Sequence, residues 1–299
     1  MNASQRAMLA SLKISAWSAK RYDRKATAQV AQLNGTHTRS DAGPGRYNKN
    51  LLFDATSYAA LGAVCNEIRA AHYENTLPWH DDGARILPVA NWQKHSDAMR
   101  QGRLKFEQAL AAFLADYPRL RQDAEHYLGG LYNPQDYPTV EELAGKYGLE
   151  IDYENLPSGE DMRRDFRLAL AEDELAAIAS DTDSRIADSL AAAQKAAVDR
   201  LREVLARMAV TLSDPKAIFR DTLITNAREV CETLVRLNLA GDLQLENFRQ
   251  QAETLASGVT PQGLRNSKYI REQAAREASS IIASMDAFYG ERSAQNAAS

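Results

Sequence analysis

Residues 165–241 read DFRLALAEDELAAIASDTDSRIADSLAAAQKAAVDRLREVLARMAVTLSDPKAIFRDTLITNAREVCETLVRLNLAG, and this stretch decides the fold. No glycine falls between Gly159 and Gly241, and the only proline in the stretch is Pro215. Ile186, Leu190, Ala193, Ala197, Leu201, Leu205, Met208 and Leu212 recur at steps of three or four, which puts them on one stripe of an α-helix. Asp188, Gln194, Lys195, Asp199, Arg200, Arg202 and Glu203 occupy the other faces. A helix of this kind needs partners to cover its stripe. The expected fold is therefore mainly α, a multi-helix bundle with long amphipathic helices and a small antiparallel β-hairpin.

Working outward, DTDSR at 181–185 is expected to break the long helix, with Asp181 or Asp183 capping a new one. Asp214-Pro215 has the form of an N-cap followed by proline at the first helical position, and Thr260-Pro261 repeats it. A helix near Leu243–Ala256 lies between them. Upstream, Leu149, Ile151 and Tyr153 alternate, as do Phe166, Leu168 and Leu170, with Pro157, Ser158 and Gly159 between the two runs. That pattern predicts the hairpin. Thr139 and Glu142 fit a capping box. Further helices are expected over about Ser4–Ala19, Asp54–Tyr73 and Asn91–Tyr117, the last ended or offset by Pro118, with a short helix to Leu128 before Gly129-Gly130. The expected division is a mixed helical region with a basic N-terminal segment over 1–160 and a long-helix region over 161–299; a single domain is the alternative. Leu61, Phe106, Phe113, Leu201, Leu205, Met208, Phe219 and Leu234 are expected in the core.

The chain's 299 residues, 44% apolar and 25% charged, suit a globular protein rather than a disordered one. No apolar run approaches the roughly 20 residues of a membrane span, and the N-terminus lacks a signal-type apolar core. Cys65 and Cys231 sit in helical patterns without metal-type spacing, as expected of buried thiols in a reducing cytoplasm. The net charge of −4 is uneven. Residues 1–50 hold nine Lys/Arg against Asp23 and Asp41, giving +7 and leaving −11 for the rest. A basic front on an acidic body suits an anionic partner, or docking on the chain's own acidic helices.

Two segments carry candidate chemistry. Lys20, Arg21, Arg24, Lys25, Arg46 and Lys49, interleaved with Tyr22 and Tyr47, have the make-up of a nucleic-acid surface, where cations hold phosphates and a ring stacks on a base. The competing reading is a solvated basic loop that packs Tyr22 and Tyr47 on the body; residues 34–49, with Gly43-Pro44-Gly45, are expected to be a loop in either case. The segment ENTLPWHDDGARILP places His80, Asp81, Asp82 and Arg85 beside Trp79. Histidine beside carboxylates suits a general base or a metal site. The competing reading is a structural corner in which Trp79 packs on the core and Arg85 pairs with Asp81 or Asp82. A basic patch at Arg163, Arg164 and Arg167 has acidic neighbours in Glu160, Asp161 and Asp165.

AWSAKRYDRKAT near Trp17, GRYNKNLL at 45–52, YENTLPWHDDGARILP at 73–88, YNPQDYP at 132–138 and DFRLAL at 165–170 together resemble an uncharacterised family of bacteriophage proteins, a domain of unknown function. The resemblance spans roughly residues 5–240. It implies a phage-encoded protein of the infected host's cytoplasm, with a ring-forming ATPase of the MoxR type as one partner; it implies no activity and no functional residue.

The sequence thus supports a non-catalytic binding or adaptor protein, acting in phage DNA metabolism or against host defence through nucleic acid or protein, with no cofactor. Two other readings stand beside it. One is a metal-dependent hydrolase centred on His80, Asp81 and Asp82. The other is a self-assembling helical protein using the Ala191–Ala193 and Ala196-Ala197 seams, which makes a homo-oligomer a further partner class.

Overall fold

The computed structural model describes residues 6–36, 45–79, 83–157 and 171–297, with side chains as far as Gly290. It is mainly α with a small antiparallel sheet. His80–Asp82, residues 37–44, the expected strand Phe166–Leu170 and the basic patch at Arg163, Arg164 and Arg167 lie outside the described residues. The chain divides into two compact units, residues 1–11, 73–95 and 152–299 in one, 12–72 and 96–151 in the other. The division is thus interleaved rather than a single cut near residue 160.

In the first unit, α5 (Glu172–Ser213) runs unbroken for 42 residues, about 63 Å at the usual rise. Its stripe is the core: Ala193, Ala197, Leu201, Leu205 and Met208 are fully buried and Leu212 nearly so, while Ile186 and Leu190 pack on the same cluster from its edge. Helices α6 (Thr222–Leu237), α7 (Leu243–Gly258), α8 (Pro261–Asn266) and α9 (Lys268–Ala297) follow, and α6 and α9 pack on α5. Small residues on α9, Ala274, Ala275 and Ala278, are buried in the cluster that holds Ala193 and Ala197, as close helix packing requires. The expected break at Asp181–Arg185 does not occur. Leu175 and Ala179 are buried upstream of it, so the apolar face runs through; Asp181 and Asp183 lie inside the helix and cap no new one, and Thr182 donates its hydroxyl back to the Ile178 carbonyl at 2.9 Å.

Three helix ends in this unit are closed by arginines. Arg200 donates to the carbonyls of Tyr73, Glu74 and Thr76 at 2.8, 2.9 and 2.6 Å. Arg228 holds those of Ala256 and Val259, and Arg271 those of Thr211, Leu212 and Ala217. A guanidinium's fixed fork matches several orphan carbonyls at once, on the end of the helix dipole that prefers a cation. Asp214-Pro215 opens a turn, not a helix: Asp214 Oδ1 accepts from Lys216 N at 2.9 Å, and α6 begins only at Thr222. Thr260 caps as expected, its hydroxyl accepting from Gly263 N at 3.1 Å, but the helix it opens ends at Asn266.

Strands β4 (Leu77–Pro78) and β5 (Ala84–Pro88) form an antiparallel pair, and β5 pairs with the first half of β1 (Ala7–Ser15). β6 (Gly148–Asn155) completes the order β4-β5-β1-β6. The expected N-terminal helix is therefore a strand. Ala7, Leu9 and Ala10 are all buried, so β1 is covered on both faces, and ladder pairing overrides the helical spacing of Leu9 and Leu12. β6 is the strand read from Leu149, Ile151 and Tyr153; its observed neighbour is β1.

The second unit is built on parts of α2 (Thr56–Asn75) and α3 (Trp92–Leu128), with α4 (Val140–Ala144) closed by the expected box: Glu142 N donates to Thr139 Oγ1 at 3.2 Å and Thr139 N to Glu142 Oε2 at 3.0 Å. Helix α2 begins at Thr56 rather than at Asp54, which lies in the left-handed region at φ 46°. Pro118 neither ends nor offsets α3. It deletes one backbone donor, while Phe113, Tyr117, Leu120 and Ala124 on both sides of it are buried in one core and hold the helix through. Gly102 lets α3 approach Ile68 so closely that a Cβ there would lie 2.8 Å from Ile68 Cγ1. All eight side chains expected in the core are buried. Cys65 and Cys231 are buried free thiols; burial raises both, Cys231 to about 11. No helix among the described residues is long and apolar enough to cross a membrane.

Candidate nucleic-acid interface

The basic segment folds within the second unit as a two-stranded ribbon and a short helix. β2 (Lys20–Tyr22) pairs antiparallel with β3 (Asn48–Asn50), Lys20 opposite Asn50, Arg21 opposite Lys49 and Tyr22 opposite Asn48. The ladder continues at both ends, Asp23 N donating to Tyr47 O at 3.0 Å and Leu51 N to Ala19 O at 2.7 Å. Asp23 then caps α1 (Arg24–Leu33), its Oδ1 accepting from Ala26 N at 2.9 Å. Arg24 and Lys25 thus stand on the first turn, beside the ribbon.

Five of the six expected cations are exposed: Lys20, Arg21, Arg24, Lys25 and Arg46. Arg46 lies over the Tyr22 ring, 4.5 Å from its centroid, and Tyr47 is also exposed. The sixth cation is different. Lys49 is only 5% exposed, and its ammonium contacts Asp136 Oδ2 at 2.8 Å, Asp23 Oδ2 at 3.2 Å and Leu131 O at 2.7 Å. All three of its donors are committed, so Lys49 braces the ribbon and presents nothing to a phosphate. Burial alone would lower its pKa, but the hydrogen bonds it donates to Asp136 and Asp23 outweigh burial and leave the ammonium above the ordinary lysine value. Asp23 is held below the usual carboxylate value, first by the Ala26 N–H, against burial, and then by Lys49. Arg21 stands 3.6 Å from Asp136 while staying largely exposed. Asp23 and Asp136 were not visible as partners of Lys49 in the sequence, since Asp136 is 87 positions away in a different turn.

The second expected cluster divides. Arg85 is part of the β4–β5 pair; its Nε donates to Thr76 Oγ1 at 2.7 Å, and its guanidinium covers the Tyr73 ring at 4.4 Å. Burial first, and then the nearby Arg200, lowers Arg85 to about 10, which leaves it a cation at neutral pH. Trp79 packs on the first unit's core. His80, Asp81 and Asp82 lie outside the described residues. Among the described residues, no three His, Cys, Asp or Glu side chains come together as a metal site. His72 and His95 are buried, and burial lowers His95 to about 4.

No family model, curated protein or solved structure matches this chain.

Proposed function

We propose that the chain is a non-catalytic binding protein that holds nucleic acid on the exposed cations of β2, the first turn of α1 and Arg46-Tyr47. The observation that carries this is the exposure of Lys20, Arg21, Arg24, Lys25 and Arg46 on one ribbon-and-helix scaffold, with the sixth cation withdrawn to brace it. Charge supports the same surface. The second unit holds fifteen Lys/Arg against thirteen Asp/Glu, a balance of +2, while the rest of the chain carries −6. The phage setting, a role in phage DNA metabolism or against host defence, the infected cell's cytoplasm and a MoxR-type ATPase partner belong to this proposal through the sequence resemblance alone.

The test is fluorescence anisotropy with labelled single- and double-stranded oligonucleotides, using the full chain and a variant with Lys20, Arg21, Arg24, Lys25 and Arg46 all changed to Ala. The variant should melt like the parent, because exposed charges contribute little to stability, and should lose binding. Equal affinity of parent and variant would overturn the proposal.

A further inference from the structure

Just past the end of the ribbon stands a pair of aromatic rings that the packing leaves in water. Phe53 and Tyr127 stack face to face, with centroids 4.6 Å apart and planes 20° apart, yet Phe53 is 54% and Tyr127 47% exposed. Each ring spends one face on the other, and about half of each residue stays in solvent. Ring surface left in water is apolar area that the fold does not bury internally. Their position follows from the ladder. Leu51 is bonded to Ala19, the residue before Lys20, and Phe53 lies two residues beyond Leu51, within about 7 Å along the chain. Tyr127 is set on the last turn of α3, four residues before the Leu131 carbonyl that Lys49 holds. Phe53 thus follows the Lys20 end of the ribbon by a few residues, and Tyr127 precedes the carbonyl that anchors Lys49 by one helical turn.

We infer that this stacked pair is a base platform and that the nucleic acid bound is single-stranded. The inference rests on the cationic face acting as the phosphate track. Paired bases hide their faces in the duplex stack and offer only edges in the grooves. Exposed ring surface close to cations suits an unpaired base, and stacking accepts any base of DNA or RNA. One base of the strand extends the Phe53–Tyr127 stack while neighbouring phosphates meet Lys20 and Arg21.

The test compares oligo-dT, oligo-U and a DNA hairpin duplex as anisotropy probes, at about 50 mM salt, with the full chain, the Phe53→Leu/Tyr127→Leu variant and Tyr127→Phe. Leucines keep the apolar volume and remove the ring faces; Tyr127→Phe keeps the face and removes the hydroxyl. The leucine variant should bind both single strands at least about 5-fold more weakly, with duplex binding and the salt slope unchanged, and Tyr127→Phe should match the parent. Salt-sensitive binding that the leucine variant retains in full overturns the platform and leaves the cationic face standing. No binding of any probe by the full chain overturns both. Should the leucine variant melt well below the parent, single Phe53→Leu and Tyr127→Leu chains give the same reading.

Discussion

Replacing Lys49 by Met separates the brace of the basic ribbon from its surface. The methionine fills most of the lysine's volume but leaves the Asp23 and Asp136 carboxylates facing each other, and the Leu131 carbonyl loses its donor. Breaking a buried ion pair by removing one partner costs about 3–5 kcal/mol. Both carboxylates keep slight solvent access, at 14% and 11%, and Arg21 sits 3.6 Å from Asp136, so the lower end, about 3 kcal/mol, is expected. Chemical denaturation followed by circular dichroism measures it. Asp136→Asn in the Lys49→Met background should return part of the loss, because it removes one of the opposed charges. The pH dependence has a definite sign. Asp23 is lowered in the fold, so its contribution is present above the ordinary value of 3.8 and is lost as the pH falls through the folded value. Lys49 is raised, so its contribution is present below 10.5 and lost as the pH rises through the folded value. The parent should thus lose stability at both extremes, and Lys49→Met should lack the alkaline limb. A Lys49→Met chain as stable as the parent would refute the account of Lys49 as a brace.

Three further outcomes follow from buried groups. His95 is fully buried and its pKa falls from 6.5 to about 4, so its contribution is complete above pH 6.5 and is lost as the pH falls toward 4; up to about 3 kcal/mol disappears over that window, and His95→Gln should flatten it in a pH series of denaturation curves. The Tyr147 hydroxyl is buried with no hydrogen-bond partner among the described residues, so Tyr147→Phe should be neutral or raise the melting temperature, and a loss above about 1 kcal/mol would mean the hydroxyl is satisfied. Arg200→Met strips the donor from three carbonyls at the end of α2 and should cost about 3 kcal/mol in the same assay, against nearly nothing for the exposed Lys195→Met.

Much of the helical frame is legible in the residues because its signals are local. The stripe from Ile186 to Leu212 repeats with the helix, and the Thr139–Glu142 box and the Thr260 cap each close within four residues. The misses are long-range. β1 has helical spacing in isolation and becomes a strand because β5 supplies a ladder some 75 residues away. Pro118 and Asp181–Arg185 read as breaks, but buried apolar residues on both sides of each are worth more than one lost donor or a run of polar residues. At the candidate interface, composition identifies the six cations and cannot say which is buried, since that depends on Asp136 arriving through a separate turn. The Phe53–Tyr127 stack joins residues 74 positions apart and leaves no mark in either segment.

The most direct test of the cationic face is the slope of log affinity against log salt for a single-stranded oligonucleotide. Each phosphate contact contributes about −0.7, so five contacts predict a slope near −3.5 and roughly a 100-fold weakening between about 50 and 200 mM salt. Arg24→Ala should bring the slope about 0.7 closer to zero, and the five-alanine variant should leave almost none of it. A parent slope near zero, or one that the five substitutions leave unchanged, would contradict nucleic-acid binding through this face.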